Sequence, residues 1–114
     1  MYRGNENAKT AHWLSEHKHP CIILVYGKSL SPVIKSAQPV VVEPIDDNCV
    51  IGKDDIVFCR VQKRYRLQKV ILVEKPEWYS VGNAHGYING TIGRKAIYGR
   101  AVRILRRKKF DKKG

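Results

Sequence analysis

Cys21-Ile22-Ile23-Leu24-Val25-Tyr26-Gly27-Lys28-Ser29-Leu30-Ser31-Pro32 is the stretch whose reading decides the fold. A continuous apolar run bounded by turn residues reads as a buried strand. Here it follows His19-Pro20 and stops at a glycine, two serines and a proline. Pro20 ends whatever helix precedes it. The turn from Gly27 to Pro32 presents a serine hydroxyl on a rigid loop beside a buried strand, a position that suits a nucleophile.

Outward from this stretch the chain reads as strands. Asn7 to Lys18 predicts one short amphipathic helix with Trp13 and Leu14 on its buried side. Val40-Val41-Val42, the alternating Asp55 to Val61, Leu67 to Glu74, Trp78 to Val81 and Ala96 to Leu105 complete the strand set. Turn chemistry separates them at Gly52-Lys53-Asp54-Asp55, Lys75-Pro76-Glu77, Gly82-Asn83 and Asn89-Gly90. About five or six short strands with tight connections and one helix predict a mostly β fold, a small coiled antiparallel sheet or partly open barrel. The organisation expected is an N-terminal arm with the short helix over 1–20, a β domain over 21–105 and a basic disordered tail over 106–114.

The 114 residues suffice for one domain with a modest core. No apolar run approaches the ~20 residues that cross a bilayer as a helix, and the first residues lack a secretory signal pattern, so an intracellular protein without a membrane partner is expected. The three cysteines, Cys21, Cys49 and Cys59, lie in apolar contexts and read as buried hydrophobes rather than a disulfide framework. His12, His17 and His19 share a polar segment with Glu16 and Lys18 and read as a solvated face. No metal and no cofactor is assigned.

The formal net charge is +12. The excess clusters in Lys63-Arg64-Tyr65-Arg66 and from Arg100 to Lys113. Arg103, Arg106, Arg107, Lys108 and Lys109 are the candidate contacts to nucleic acid or an acidic partner, because such runs favour polyanions through counterion release. A solvated tail that keeps the protein soluble stands beside that reading.

A serine nucleophile needs a base. His85 lies among Gly82, Asn83, Gly86 and Asn89, a turn context that does not suit a Ser-His-Asp triad. Lys69, flanked by Leu67, Val70, Ile71 and Leu72, is the candidate general base of a Ser-Lys dyad, since apolar neighbours lower an amine's proton affinity.

Taken in order, these motifs resemble the superfamily of LexA-type repressor autopeptidases, UmuD-like proteins and type I signal peptidases. Its G-x-S-M-x-P box is matched by Gly27-Lys28-Ser29-Leu30-Ser31-Pro32. Its following segments are matched by Ser36 to Val42, Asp54-Asp55-Ile56-Val57, Gly82 to Gly90 and Ile97 to Val102. The resemblance spans about residues 21 to 105 and implies the LexA C-terminal or signal peptidase type of β fold, with Ser29 as nucleophile. The base segment departs from the pattern: Gln68-Lys69-Val70 puts Gln68 where that superfamily carries its lysine, and successive strand residues face opposite ways.

The resulting expectation is a stand-alone, phage-like or bacterial peptidase-like domain, catalytically impaired and acting as an interaction or structural protein. Two alternatives stay open. One is an active Ser29/Lys69 peptidase, and the other a basic nucleic-acid-binding accessory protein. The partners expected are a protein or a virion assembly, nucleic acid through the basic tail, or a second copy of the chain. The location expected is the host cytoplasm or the virion.

Overall fold

The computed structural model describes residues 1–106. It bears out the mostly β fold with one short helix. All strands join one mixed, unclosed sheet, in chain order β1 Tyr2–Gly4, β2 Cys21–Val25, β3 Gln38–Pro44, β4 Ile56–Val61, β5 Arg64–Lys75, β6 Trp78–Gly82, β7 Ile88–Gly93 and β8 Ile97–Ile104. Their spatial order is β1-β2-β3-β8-β4-β5-β6-β7, so the last strand is inserted between β3 and β4. Every pairing is antiparallel except β1 with β2.

The helix α1, Ala8–His17, begins where the Asn7 side chain accepts a hydrogen bond from the Thr10 amide at 3.0 Å. This satisfies one of the amides that no helical carbonyl reaches. Lys18 in the left-handed region ends it before Pro20. Leu14 is buried, with Thr10 and Ala11 beside it. Trp13 is only half-buried, sandwiched between Tyr2 of β1 (ring centroids 4.4 Å apart) and His17 (4.0 Å).

Two apolar clusters form the core, and β4 divides them because its side chains alternate between faces. Phe58 faces a cluster with Leu14, Ile23, Val40, Val42 and Leu67, which also receives Leu30 and Ile34 from the loop after β2. Val57, Cys59 and Val61 face the other, with Val70, Tyr79, Val81 and Ile92. The sheet coils enough for β7 to come back over β4: a Cβ added to Gly90 would lie 2.8 Å from Val61 Cγ2. Glycine at that position lets the two strands cross closely.

Two elements differ from the sequence expectation. Residues 2–4, read as part of an arm, pair with β2 as a parallel edge strand. Asn89-Gly90, read as a turn, lies inside β7, where Gly90 pairs with Val81. The connection from β4 to β5 is the turn Gln62-Lys63, both residues at positive φ (52° and 66°). That is the backbone of a type I′ hairpin, here without the usual Asn-Gly signal. The connection from β5 to β6 was legible, with Pro76 followed by Glu77 at φ 66°. Of the basic tail, only Arg106 falls within the described residues; Arg107, Lys108 and Lys109 lie outside them.

All three cysteines are free, Cys21 and Cys59 buried and Cys49 half-exposed. Burial pushes the Cys21 thiol up to about 11, and burial with the nearby Glu6 carboxylate pushes Cys59 up to about 12. Thiolate is the reactive form. A disulfide-exchange reagent at neutral pH is therefore expected to titrate one thiol per folded chain, at Cys49, and all three after denaturation. Rapid native labelling of Cys59 would show that β4 is not closed as described.

Candidate functional site

The loop after β2 is built to hold Ser29 outward. Gly27 at φ 97° turns the chain, and its amide donates to Ser36 Oγ at 3.0 Å. The Ala37 amide donates to the Val25 carbonyl and closes the loop base. Leu30 and Ile34 are anchored in the core at 1% and 0% exposure, joined by a hydrogen bond from the Ile34 amide to the Leu30 carbonyl. Ser29 itself is exposed. Its carbonyl accepts the Ala84 amide at 2.8 Å, which ties this loop to the one between β6 and β7.

That second loop is an Asx turn. Asn83 Oδ1 accepts the amides of His85 and Tyr87, and His85 is exposed. Gly82 is needed where the loop closes, because a Cβ there would collide with the Tyr87 carbonyl.

Strand β5 carries Gln68 and Lys69, the residues expected from the sequence to bear on Ser29. Gln68 faces the second cluster and is completely buried. Its Nε2 donates to the Leu67 carbonyl at 3.1 Å, and its Oε1 accepts from Asn89 Nδ2 at 2.6 Å. Lys69 projects from the other face, with Nζ 3.4 Å from Asp54 Oδ1 and its side chain 28% exposed. Among the described residues no hydrogen bond joins the Ser29 hydroxyl to Lys69, Gln68 or His85. The Ser31 amide, a candidate oxyanion donor on the Ser29 loop, donates instead to the Lys28 carbonyl at 3.1 Å.

Arg103 is exposed on β8 and Arg106 exposed just beyond it. The other basic run forms a more defined feature. Lys63, Arg64, Tyr65 and Arg66 line a cleft of about 380 Å³ together with Glu6, Asn7 and Ala8 at the start of α1. Glu6 anchors its floor: the carboxylate accepts the Leu67 amide at 2.7 Å, and burial raises its pKa while the backbone bond and Arg66 oppose the rise.

Sequence reasoning had no means of finding Asn89 as the partner of Gln68, or Asp54 as the partner of Lys69. Both pairings join different elements of the sheet, and the local signal at each acceptor or donor was that of a turn. No known family model matches the chain, and no curated protein matches its sequence. Among the described residues no helix is long and apolar enough to cross a membrane.

Proposed function

We propose that the chain is a peptidase-like β domain of the LexA and signal peptidase type that has lost its activating base and serves as an interaction or structural protein of the kind phages encode. One observation carries this reading: the Gln68 side chain is closed on both ends of its amide, while Lys69 is turned to Asp54. An amide has no useful proton affinity. A hydroxyl without a neighbouring base attacks poorly at neutral pH. The active Ser29/Lys69 alternative requires Lys69 to leave Asp54 and the register of β5 to shift by one residue.

The interaction role draws support from the apolar groups around Ser29. Tyr26 is 62% exposed and Val33 52% on its own loop, and Tyr87 is 67% exposed on the loop hydrogen-bonded to it. Large exposed side chains gathered at adjoining turns are a common mark of a contact surface. Partner candidates are a protein in a virion assembly or in the host cytoplasm.

A fluorophosphonate probe incubated with the purified protein is expected to leave Ser29 unmodified, with peptide mass spectra indistinguishable from those of Ser29→Ala treated alike. Stoichiometric modification of Ser29 that disappears in Ser29→Ala would establish an activated nucleophile and overturn the reading.

A further inference from the structure

The cleft between the start of α1 and the β4–β5 hairpin is independent of the Ser29 loop, and its chemistry is coherent. Lys63 and Arg64 are exposed, and Arg66 is half-exposed. Among the described residues none of these, nor the neighbouring Arg60, has a carboxylate within 4.0 Å, since the ion pairs there are Lys69–Asp54 and Arg100–Asp55. The Glu6 carboxylate in the cleft is engaged by the Leu67 amide. Three cationic side chains against that one acid leave the walls with an excess of two positive charges.

The cations are also pre-positioned. The turn Gln62-Lys63 holds both residues at positive φ, and β5 is hydrogen-bonded on from Arg64, which pairs with Val61. Little backbone ordering therefore remains to oppose binding.

An aromatic element lies on the same hairpin, on the face that Tyr65 shares with Leu67 and the first cluster, while strand alternation turns Arg64 and Arg66 to the other face of β5. The Arg60 guanidinium sits 5.4 Å from the centroid of the Tyr65 ring, directly across the hairpin, and the Tyr98 ring lies 5.8 Å from that of Tyr65. Guanidinium forks match phosphate oxygens, and guanidinium planes and tyrosine rings accept unstacked bases. An acidic peptide would use the charges but leave the stacking groups idle. Bases paired in a duplex are not available to them either.

We infer that this hairpin cleft binds single-stranded nucleic acid, with Lys63, Arg64 and Arg66 holding backbone phosphates and a base stacking, beside the cleft, on the exposed Arg60 guanidinium that the Tyr65 ring supports. Ser29 is not among the residues that line the cleft, so the inference stands whether or not that serine is activated.

Fluorescence anisotropy of a labelled oligothymidylate with the full chain tests it. Binding is expected at low salt and should weaken steeply as salt is raised. Lys63→Glu/Arg64→Glu should weaken it by about tenfold or more, and Lys63→Gln/Arg64→Gln should lower the salt slope by about 1.4, two phosphates at ~0.7 each. The neutral pair guards against a folding defect in the reversed one, and thermal melts of both should match the parent. Deletion of residues 106–114 should leave most of the affinity in place. The inference is overturned by affinity unchanged in both double variants, by no binding at low salt, or by binding that vanishes only with that deletion. A duplex bound as tightly as the single strand would remove the single-strand assignment. Inorganic pyrophosphate that displaced the oligonucleotide at equal phosphate concentration would make the cleft a site for free phosphate instead.

Discussion

Phe58→Ala is expected to cost about 3–5 kcal/mol of folding stability, enough to remove a large part of the ~5–15 kcal/mol typical of a domain. The ring is fully buried on β4, the strand that divides the two clusters, and it lies 6.4 Å from the Tyr65 ring and 6.3 Å from that of Tyr98. Its removal loses the transfer free energy of the ring and leaves a cavity between α1, β3 and β5. These walls cannot collapse, because β4 is hydrogen-bonded on both sides to β5 and β8. Thermal unfolding followed by calorimetry should show a midpoint lower by about 15 °C. A shift of only a few degrees would mean that the first cluster is loosely packed.

Gln68→Glu is expected to make stability strongly pH-dependent while changing the side-chain shape very little. The site is fully buried, with an acceptor at the Leu67 carbonyl and a donor at Asn89 Nδ2. A protonated carboxyl satisfies both, donating to the first and accepting from the second. A carboxylate can accept from Asn89 but opposes the Leu67 carbonyl and loses its hydration. The folded-state pKa therefore rises above the ordinary glutamate value of about 4.3. With the folded pKa raised, the stability of the protonated form is fully present below ~4.3 and is lost as pH rises through the folded pKa. A rise of ~3 units corresponds to about 4 kcal/mol lost by neutral pH. Denaturant unfolding at acid and neutral pH, each referenced to the parent protein, checks this. A difference between variant and parent that stays constant with pH would mean that water reaches Gln68 and that the amide is not closed by Asn89.

Much of the sheet was legible because the relevant signals are local. The run Cys21 to Val25, the alternation through β4 and the Pro76-Glu77 turn each specify their element within a few residues. β1 was not legible: a short edge strand has no periodicity of its own, and it is held by pairing with β2 and by Tyr2 against Trp13. β7 was misread because Asn89-Gly90 has the composition of a turn. Gly90 serves there to let β7 pass over Val61, a requirement that exists only once the sheet has coiled.

The candidate site divides in the same way. That Ser29 follows a buried strand on a glycine-led turn, and that Gln68 and Lys69 face opposite ways, follow from the sequence, because strand alternation is a property of the backbone itself. Which of those two faces is sealed was decided by the tertiary structure. β7 returns over β4 and places Asn89 on Gln68 across 21 residues of chain, and the Gly52–Asp55 turn presents Asp54 to Lys69. The cleft beside the hairpin arises likewise, from Glu6 binding the Leu67 amide 61 residues away. Local composition specifies a side chain's direction relative to its neighbours, whereas its burial and its partner depend on where distant strands come to rest.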